Sequence, residues 1–186
     1  MEEFILNYDE KIKKLKMKCP DSISEVVLQF CKTINNETPF FITPSPYHWC
    51  LPNECINNVY QYNSLFGGKF ILGWSIWKNE LIIEGELHCL VVNPDGSYSD
   101  ITPNTSKTVL FLPDYDIKFD GTSVDNIRKP LVNHPLINKF IKKYEERAQL
   151  LMPYGRITPA NESKVRKIEK EISKITTSIL NNPDLF

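Results

Sequence analysis

The 186-residue chain lacks a long hydrophobic run, an excess of positive charge and any Cys-x-x-Cys pair. Its apolar runs are far shorter than the roughly 20 residues of a membrane-spanning helix, so we expect no membrane partner. Lys and Arg number 22 against 23 Asp and Glu, which argues against a nucleic-acid ligand, because such ligands are met by surplus positive charge. The acidic start of the chain lacks the basic region of a secretory signal, and we therefore expect a cytoplasmic protein.

The cysteines are few and irregularly spaced. Five of them in a chain without an export signal predict reduced thiols rather than a disulfide framework. Their positions are Cys19, Cys31, Cys50, Cys55 and Cys89. The sequence indicates no cofactor, since it contains no Gly-rich phosphate loop.

The hydrophobic periodicity changes twice along the chain. Residues 1–37 and 134–186 show helical spacing, whereas residues 38–113 contain short runs typical of strands. This pattern predicts one α+β domain spanning 1–186, with N-terminal helices, an antiparallel sheet of about four to five strands and a C-terminal helix pair. Short turns between the strands favour the antiparallel arrangement. The predicted elements of the middle section are strands at Pro39 to Ile42, Lys69 to Trp77, Leu81 to Val92, Ser97 to Thr102 and Lys107 to Leu112, and a helix at Cys55 to Tyr62.

The last helix carries an apolar stripe with alternating steps of three and four residues. Its members are Val165, Ile168, Ile172, Ile175 and Ile179. The stripe spans too few heptads to establish a coiled coil, so it favours an antiparallel helix pair within the chain. A homodimer through this helix is the alternative.

One thiol stands apart as a candidate nucleophile. Cys55 lies at the predicted start of a helix, where backbone amides and the helix dipole favour the thiolate form. A thiolate catalyst needs a base, and the base needs an orienting group. His88 and Asp100, on consecutive predicted strands, supply these residue types.

The turn between those strands decides whether His88 and Asp100 meet. The Pro94-Asp95-Gly96 segment predicts a three-residue loop with Asn93 opposite Ser97. In that register the two side chains are diagonal neighbours on one face of the sheet. A two-residue loop would place Asp100 on the other face.

Period-two alternation places Glu84 and Glu86 on the same face as His88, with Leu87 on the opposite, core face. A polar face of this kind is either solvated or a site, and solvation is the more common outcome for antiparallel sheets. A non-catalytic binding module that uses this face is therefore a second functional hypothesis.

A zinc site is a third hypothesis, because Cys and His are the usual zinc ligands. The candidates are His48, Cys50, Cys55, His88 and Cys89. Their spacing lacks the short pairs of a zinc signature, so we expect no bound metal. Five aromatic residues are candidates for lining a pocket, although such residues more often belong to a core. They are Trp49, Trp74, Trp77, Tyr60 and Tyr62.

Several short motifs occur in a fixed order over roughly residues 55–103. They are Cys55-Ile56-Asn57, Gly67-Gly68, Gly73-Trp74-Ser75-Ile76-Trp77, Glu84-Gly85-Glu86-Leu87-His88, Pro94-Asp95-Gly96 and Asp100-Ile101-Thr102-Pro103. Together they resemble a group of bacterial and phage proteins without an assigned activity. The order of Cys, His and Asp is similar to that of papain-like and transglutaminase-like thiol enzymes.

This resemblance implies a cysteine-dependent hydrolase or acyl-transferase that acts on a protein or peptide amide, or on an ester. The implied roles are nucleophile for Cys55, base for His88 and orienting group for Asp100. Papain-like proteases carry a Gln shortly before the nucleophile, and here only Asn53 and Glu54 occupy that region. The oxyanion would therefore be held by backbone amides near Cys55 or by Asn53. Glu86 and Trp74 are predicted substrate contacts, and Glu86 is also placed to raise the pKa of His88.

Overall fold

The structure is a computed structural model that describes residues 2–186, with side chains described from residue 9 onward. Within this range the chain forms five α-helices, six strands and a final 3₁₀ turn. In chain order these are α1 (Glu2–Leu15), α2 (Glu25–Lys32), β1 (Phe40–Ile42), α3 (Cys55–Phe66), β2 (Lys69–Lys78), β3 (Ile82–Val92), β4 (Tyr98–Ser99), β5 (Val109–Pro113), β6 (Ile127–Pro130), α4 (Pro135–Leu151), α5 (Glu162–Leu180) and the turn Pro183–Leu185. The α+β prediction is confirmed, with β6 as a strand that the sequence pattern did not indicate.

The strands form one antiparallel sheet in the order β1-β5-β2-β3-β4, and β6 pairs with β3. β5 lies between β1 and β2, and its register joins Leu110 to Phe41 on one side and to Ile76 on the other. The central strands are apolar almost throughout: residues 71–76 of β2 and all of β5 are buried. Such runs are typical of strands covered on both faces, which explains why their pattern does not alternate.

Residue contacts divide the chain into two compact units. The first unit contains the residues up to Met17, Lys78–Glu84 and Phe119–Phe186, and the second contains Lys18–Trp77 and Gly85–Lys118. The prediction of a single domain stays a prediction, and each unit is described by itself.

The first unit contains the C-terminal helix pair. Ile137 and Ile141 of α4 pack with Ile175 and Ile179 of α5, and the ion pair between Lys143 and Glu171 follows the same antiparallel order. The apolar stripe of α5 is largely buried inside this unit. Packing within one chain therefore accounts for the stripe without a second copy.

The second unit contains β1, most of the sheet, and helices α2 and α3. One of its apolar clusters lies beneath α3, where Val59 packs against Leu72 of β2 and Cys89 and Val91 of β3. This packing fixes α3 against the middle of the sheet. The first residue of α3 is Cys55, so the packing also decides where that thiol lies.

Candidate active site

The turn between β3 and β4 has the predicted form. The amide of Asn93 donates to the carbonyl of Ser97 at 2.8 Å, and the amide of Gly96 donates to the carbonyl of Asn93 at 2.9 Å. Gly96 has a φ of 84°, a left-handed conformation that glycine adopts without strain. Val91 is paired with Ser99, which is the register expected for a three-residue loop.

β4 is shorter than predicted, because its pairing ends at Ser99 instead of continuing to Thr102. Beyond that point the backbone of Asp100 and Ile101 bonds to the loop before α3. The amide of Ser45 donates to the carbonyl of Asp100 at 2.7 Å, and that of Tyr47 to the carbonyl of Ile101 at 3.2 Å. Asp100 is thus held by a loop on one side and by the hairpin on the other.

His88 and Asp100 form a buried pair. The Nε2 atom of His88 lies 3.1 Å from Oδ2 of Asp100, and the two residues are 8% and 0% exposed. The approach is bent and falls short of a linear hydrogen bond, yet neither atom has another hydrogen-bond partner among the described residues. The other oxygen of Asp100, Oδ1, accepts from the amide of Thr102 at 3.1 Å. The Nε2 atom of His88 and the Oδ2 atom of Asp100, which have no other partner among the described residues, thus face each other.

The burial of His88 differs from the expectation of a solvated face. His88 is more buried than Leu87, which is half-buried, and Leu90 on the same face as His88 is fully buried. The physical reason is that β3 lies inside the sheet and is covered on both faces, so alternation does not separate a wet side from a dry one. The ring of Phe111 lies edge-on to His88, with 6.3 Å between ring centroids.

Cys55 completes the group of three. It is the first residue of α3 and is half-buried, and its thiol lies close enough to the His88 ring to contribute to the pKa of that ring. The sulfur is also 3.9 Å from the carbonyl oxygen of Leu87. The structure therefore brings together Cys55, His88 and Asp100.

The charge of the histidine follows from these neighbours. Burial by itself lowers the pKa of His88, but the hydrogen bonds to Asp100 and Cys55 and their negative charges outweigh burial and raise it to about 10. The imidazolium form therefore dominates at neutral pH. His88 thus places a positive charge close to the Cys55 sulfur at the start of α3.

The start of α3 also offers backbone donors. Asn58 is the first residue of the helix whose amide reaches back to a carbonyl, that of Glu54, at 2.8 Å. The amides of residues 55–57 precede it and have no helical carbonyl to bond. The side chain of Glu54, the N-cap residue, makes no capping hydrogen bond. These amides are therefore candidates for stabilising an oxyanion beside Cys55.

Asn58 is a buried polar residue that the sequence patterns did not single out. Its side chain accepts from the amide of Leu51 at 3.0 Å, donates to the carbonyl of Leu51 at 2.8 Å and donates to the hydroxyl of Thr102 at 3.2 Å. It therefore ties the loop before Cys55 to the segment after Asp100. The sequence does carry one indication of this role, the side-chain amide of Asn58 three residues after Cys55 and next to the core residue Val59.

We expect Asn58→Ala to lower the free energy of unfolding by about 2 kcal/mol or more, because three hydrogen bonds of a buried group are lost. It should also slow alkylation of Cys55, since the preceding loop is no longer held. Chemical denaturation and iodoacetamide kinetics measure the two effects. Asn57→Ala is the matched control, because Asn57 is exposed and bonds to Glu54 at 2.5 Å. Equal effects of both changes would contradict the role of Asn58.

The remaining predicted site residues lie in different surroundings. Asn53 is exposed in the loop before α3 and has a φ of 62°, a left-handed conformation that Asn tolerates. Trp74 is buried, and its indole donates to Asp114 at 2.9 Å, so it belongs to the core of the second unit and not to an accessible groove. Glu86 is exposed and accepts from the indole of Trp77 at 3.0 Å. The rise in the pKa of His88 comes from Asp100 and Cys55, which leaves Glu86 without the predicted role in it.

The binding-module and zinc-site hypotheses gain little from the arrangement. Glu84 pairs with Arg128 at 3.1 Å, whereas Glu86 bonds to Trp77 and His88 to Asp100, so the three residues of the suggested binding face have separate partners. The binding module stays a prediction. Across the described side chains, no group of three or more Cys, His, Asp or Glu residues is arranged to hold a metal ion.

No helix in the described part of the chain combines the length and the apolar character needed to cross a bilayer. No protein-family model matches the chain, and no curated protein or solved structure shows significant similarity to it.

Proposed function

We propose that the protein is a thiol-dependent acyl-transfer enzyme that acts on an amide or ester, with Cys55 as nucleophile, His88 as acid and base, and Asp100 as the orienting group. The observation that carries this proposal is a half-buried thiol at a helix start, close to a buried histidine whose Nε2 lies 3.1 Å from a buried carboxylate. A weak nucleophile is activated when a base lies beside it and an orienting group lies beside the base.

The first half of the reaction makes an acyl-enzyme. The Cys55 thiolate attacks the substrate carbonyl carbon, and the carbonyl oxygen becomes an oxyanion that the amides at the start of α3 stabilise. The His88 imidazolium gives its proton to the departing nitrogen or oxygen. The bond to the leaving group then breaks, which leaves a thioester on Cys55 and a neutral imidazole.

The second half releases the acyl group. The neutral His88 takes a proton from water, or from an amine in a transfer reaction, while the nucleophile attacks the thioester carbonyl. Collapse of this intermediate expels the Cys55 thiolate and restores the imidazolium. Deamidation, peptide cleavage and transamidation share these steps and differ in the two groups exchanged.

Asp100 has an electrostatic and a positional role. Its buried carboxylate keeps the imidazolium favourable in a site that otherwise disfavours charge, and it fixes which ring nitrogen faces the thiol. The backbone bonds on both sides of Asp100 hold that carboxylate in place. The five free cysteines further support the proposal that the enzyme works in a reducing compartment such as the cytoplasm.

The proposal is tested with an activated ester. With p-nitrophenyl acetate we expect a burst of one nitrophenolate per protein chain, and an acetyl group on Cys55 in peptide mass spectrometry. A burst reports accumulation of the acyl-enzyme. Cys55→Ala should abolish it. Acetylation that falls equally on other nucleophiles, or a burst that survives in Cys55→Ala, would overturn the proposal.

A further inference from the structure

An aromatic row extends along α3 from the candidate nucleophile; it consists of Tyr47, Trp49, Tyr62 and Phe66. The ring of Tyr47 contacts the other three, with centroid distances of 5.3 Å to Trp49, 5.5 Å to Tyr62 and 5.6 Å to Phe66. Tyr62 and Phe66 are themselves 4.8 Å apart. Phe66 is 56% exposed and the other three are half-buried, so the row is most accessible at Phe66.

The row begins near the thiol and leads away from it. Tyr62 and Phe66 follow Cys55 by seven and eleven residues, which places them on the same face of α3, about 10 Å and about 17 Å along the helix axis. Tyr47, Trp49 and Tyr62 also pack on the same apolar cluster as Cys55. Tyr62 is thus the ring of α3 nearer to Cys55 along the helix, and Phe66 is the exposed end of the row.

The chain segment that carries the row is almost free of charge. Charged residues make up 24% of the chain, yet Glu54 is the single charged residue in positions 38–68. Further apolar side chains in this stretch are exposed, among them Leu51, Tyr60 and Leu65. Aromatic side chains with few charges are typical of the buried centre of protein interfaces, whereas nucleic acids and charged peptides need countercharges.

We propose that the aromatic row is the substrate-binding surface of the enzyme and that it receives an uncharged, apolar polypeptide segment of about five residues. This inference rests on the proposed function, because it assigns a substrate to the same site. The length follows from the distance along α3, since an extended chain rises about 3.3 Å per residue. Phe66 and Tyr62 contact apolar side chains of the segment, and the absence of charge disfavours acidic or basic sequences.

The test uses chloroacetyl-capped pentapeptides. Cys55 displaces chloride from the cap and forms a thioether, while the peptide is free to lie along the row. One peptide carries two Phe, and its two relatives carry two Asp or two Lys instead. The rate constant for each peptide is divided by that for chloroacetamide on the same protein, so that the ratio reports recognition of the peptide and not reactivity of the thiol.

We expect a ratio about tenfold higher for the Phe peptide than for either charged peptide, and a roughly tenfold lower Phe ratio in Phe66→Ser. Phe70→Ser is the matched control, because Phe70 is 59% exposed and lies outside the row on β2; its ratio should be unchanged. Equal ratios for the three peptides, or equal effects of Phe66→Ser and Phe70→Ser, would overturn the proposal.

A second measurement separates this inference from the proposed function. Absence of any preference of chloroacetamide for Cys55 would count against the catalytic role alone. Binding of the uncapped Phe peptide to Cys55→Ala, measured by calorimetry, tests the row without chemistry. We expect weaker binding in Cys55→Ala/Phe66→Ser, and tighter binding of a neutral oligosaccharide such as maltohexaose than of the peptide would overturn the choice of polypeptide.

Discussion

In His88→Gln we expect acyl transfer from p-nitrophenyl acetate to Cys55 to slow by about a hundredfold or more. The imidazole supplies both the cation that favours the thiolate and the group that exchanges protons with the reacting atoms, and loss of such a group costs about 10²–10⁴ in rate. Alkylation of Cys55 by iodoacetamide should also slow, by about tenfold or more at pH 6, where an ordinary thiol is almost fully protonated.

The same substitution at a distant histidine provides the control. His134 lies in the first unit, where its Nδ1 accepts from the amide of Leu136 at the start of α4, so His134→Gln should leave both rates unchanged. Thermal melts of His88→Gln establish whether the protein is folded under the assay conditions. If His88→Gln is folded and its rates of acyl transfer and alkylation are near those of the unaltered protein, His88 is not the base.

Asp100→Ala should lower the free energy of unfolding by about 3–5 kcal/mol at pH 7, because it leaves the cation of His88 buried without its counterion. The effect should depend on pH in a defined direction. The pKa of His88 rises on folding from 6.5 to about 10, so its protonation stabilises the fold fully below pH 6.5 and less as pH rises toward 10. The cost of Asp100→Ala should therefore shrink over that interval.

Denaturant unfolding at several pH values measures this dependence. Asp114→Ala is the matched control, since Asp114 is a half-buried carboxylate whose partner is the neutral indole of Trp74. Its cost should be smaller and nearly constant with pH. A constant cost for Asp100→Ala between pH 6.5 and 10 would show that His88 carries no charge linked to Asp100.

The parts of the site that depend on local backbone rules could be predicted from sequence. The Pro94-Asp95-Gly96 turn sets the register of β3 and β4, because glycine and proline restrict the turn to one loop length. That register predicts that the His88 imidazole and the Asp100 carboxylate are neighbours, and the resemblance to thiol enzymes adds Cys55 to the pair.

The parts that depend on tertiary packing could not be predicted. The burial of His88 follows from the position of β3 inside the sheet, which period-two alternation does not reveal. Trp74 is predicted to contact substrate as one of several aromatic residues that are candidates for lining a pocket, but its position on a strand covered on both faces makes it part of the core. Asn58 is important through its bonds to Leu51 and Thr102, and a sequence does not state which distant backbone a buried amide will reach.

Competitive alkylation of the five cysteines shows whether Cys55 is the activated nucleophile of the protein. Burial raises the pKa of the other four thiols, Cys19, Cys31, Cys50 and Cys89, and that of Cys31 reaches about 11. With limiting iodoacetamide at pH 7 and peptide mass spectrometry, we expect Cys55 to be labelled at least about tenfold faster than any of these. Labelling of Cys55 at or below the rate of Cys19 would contradict an activated thiolate paired with His88.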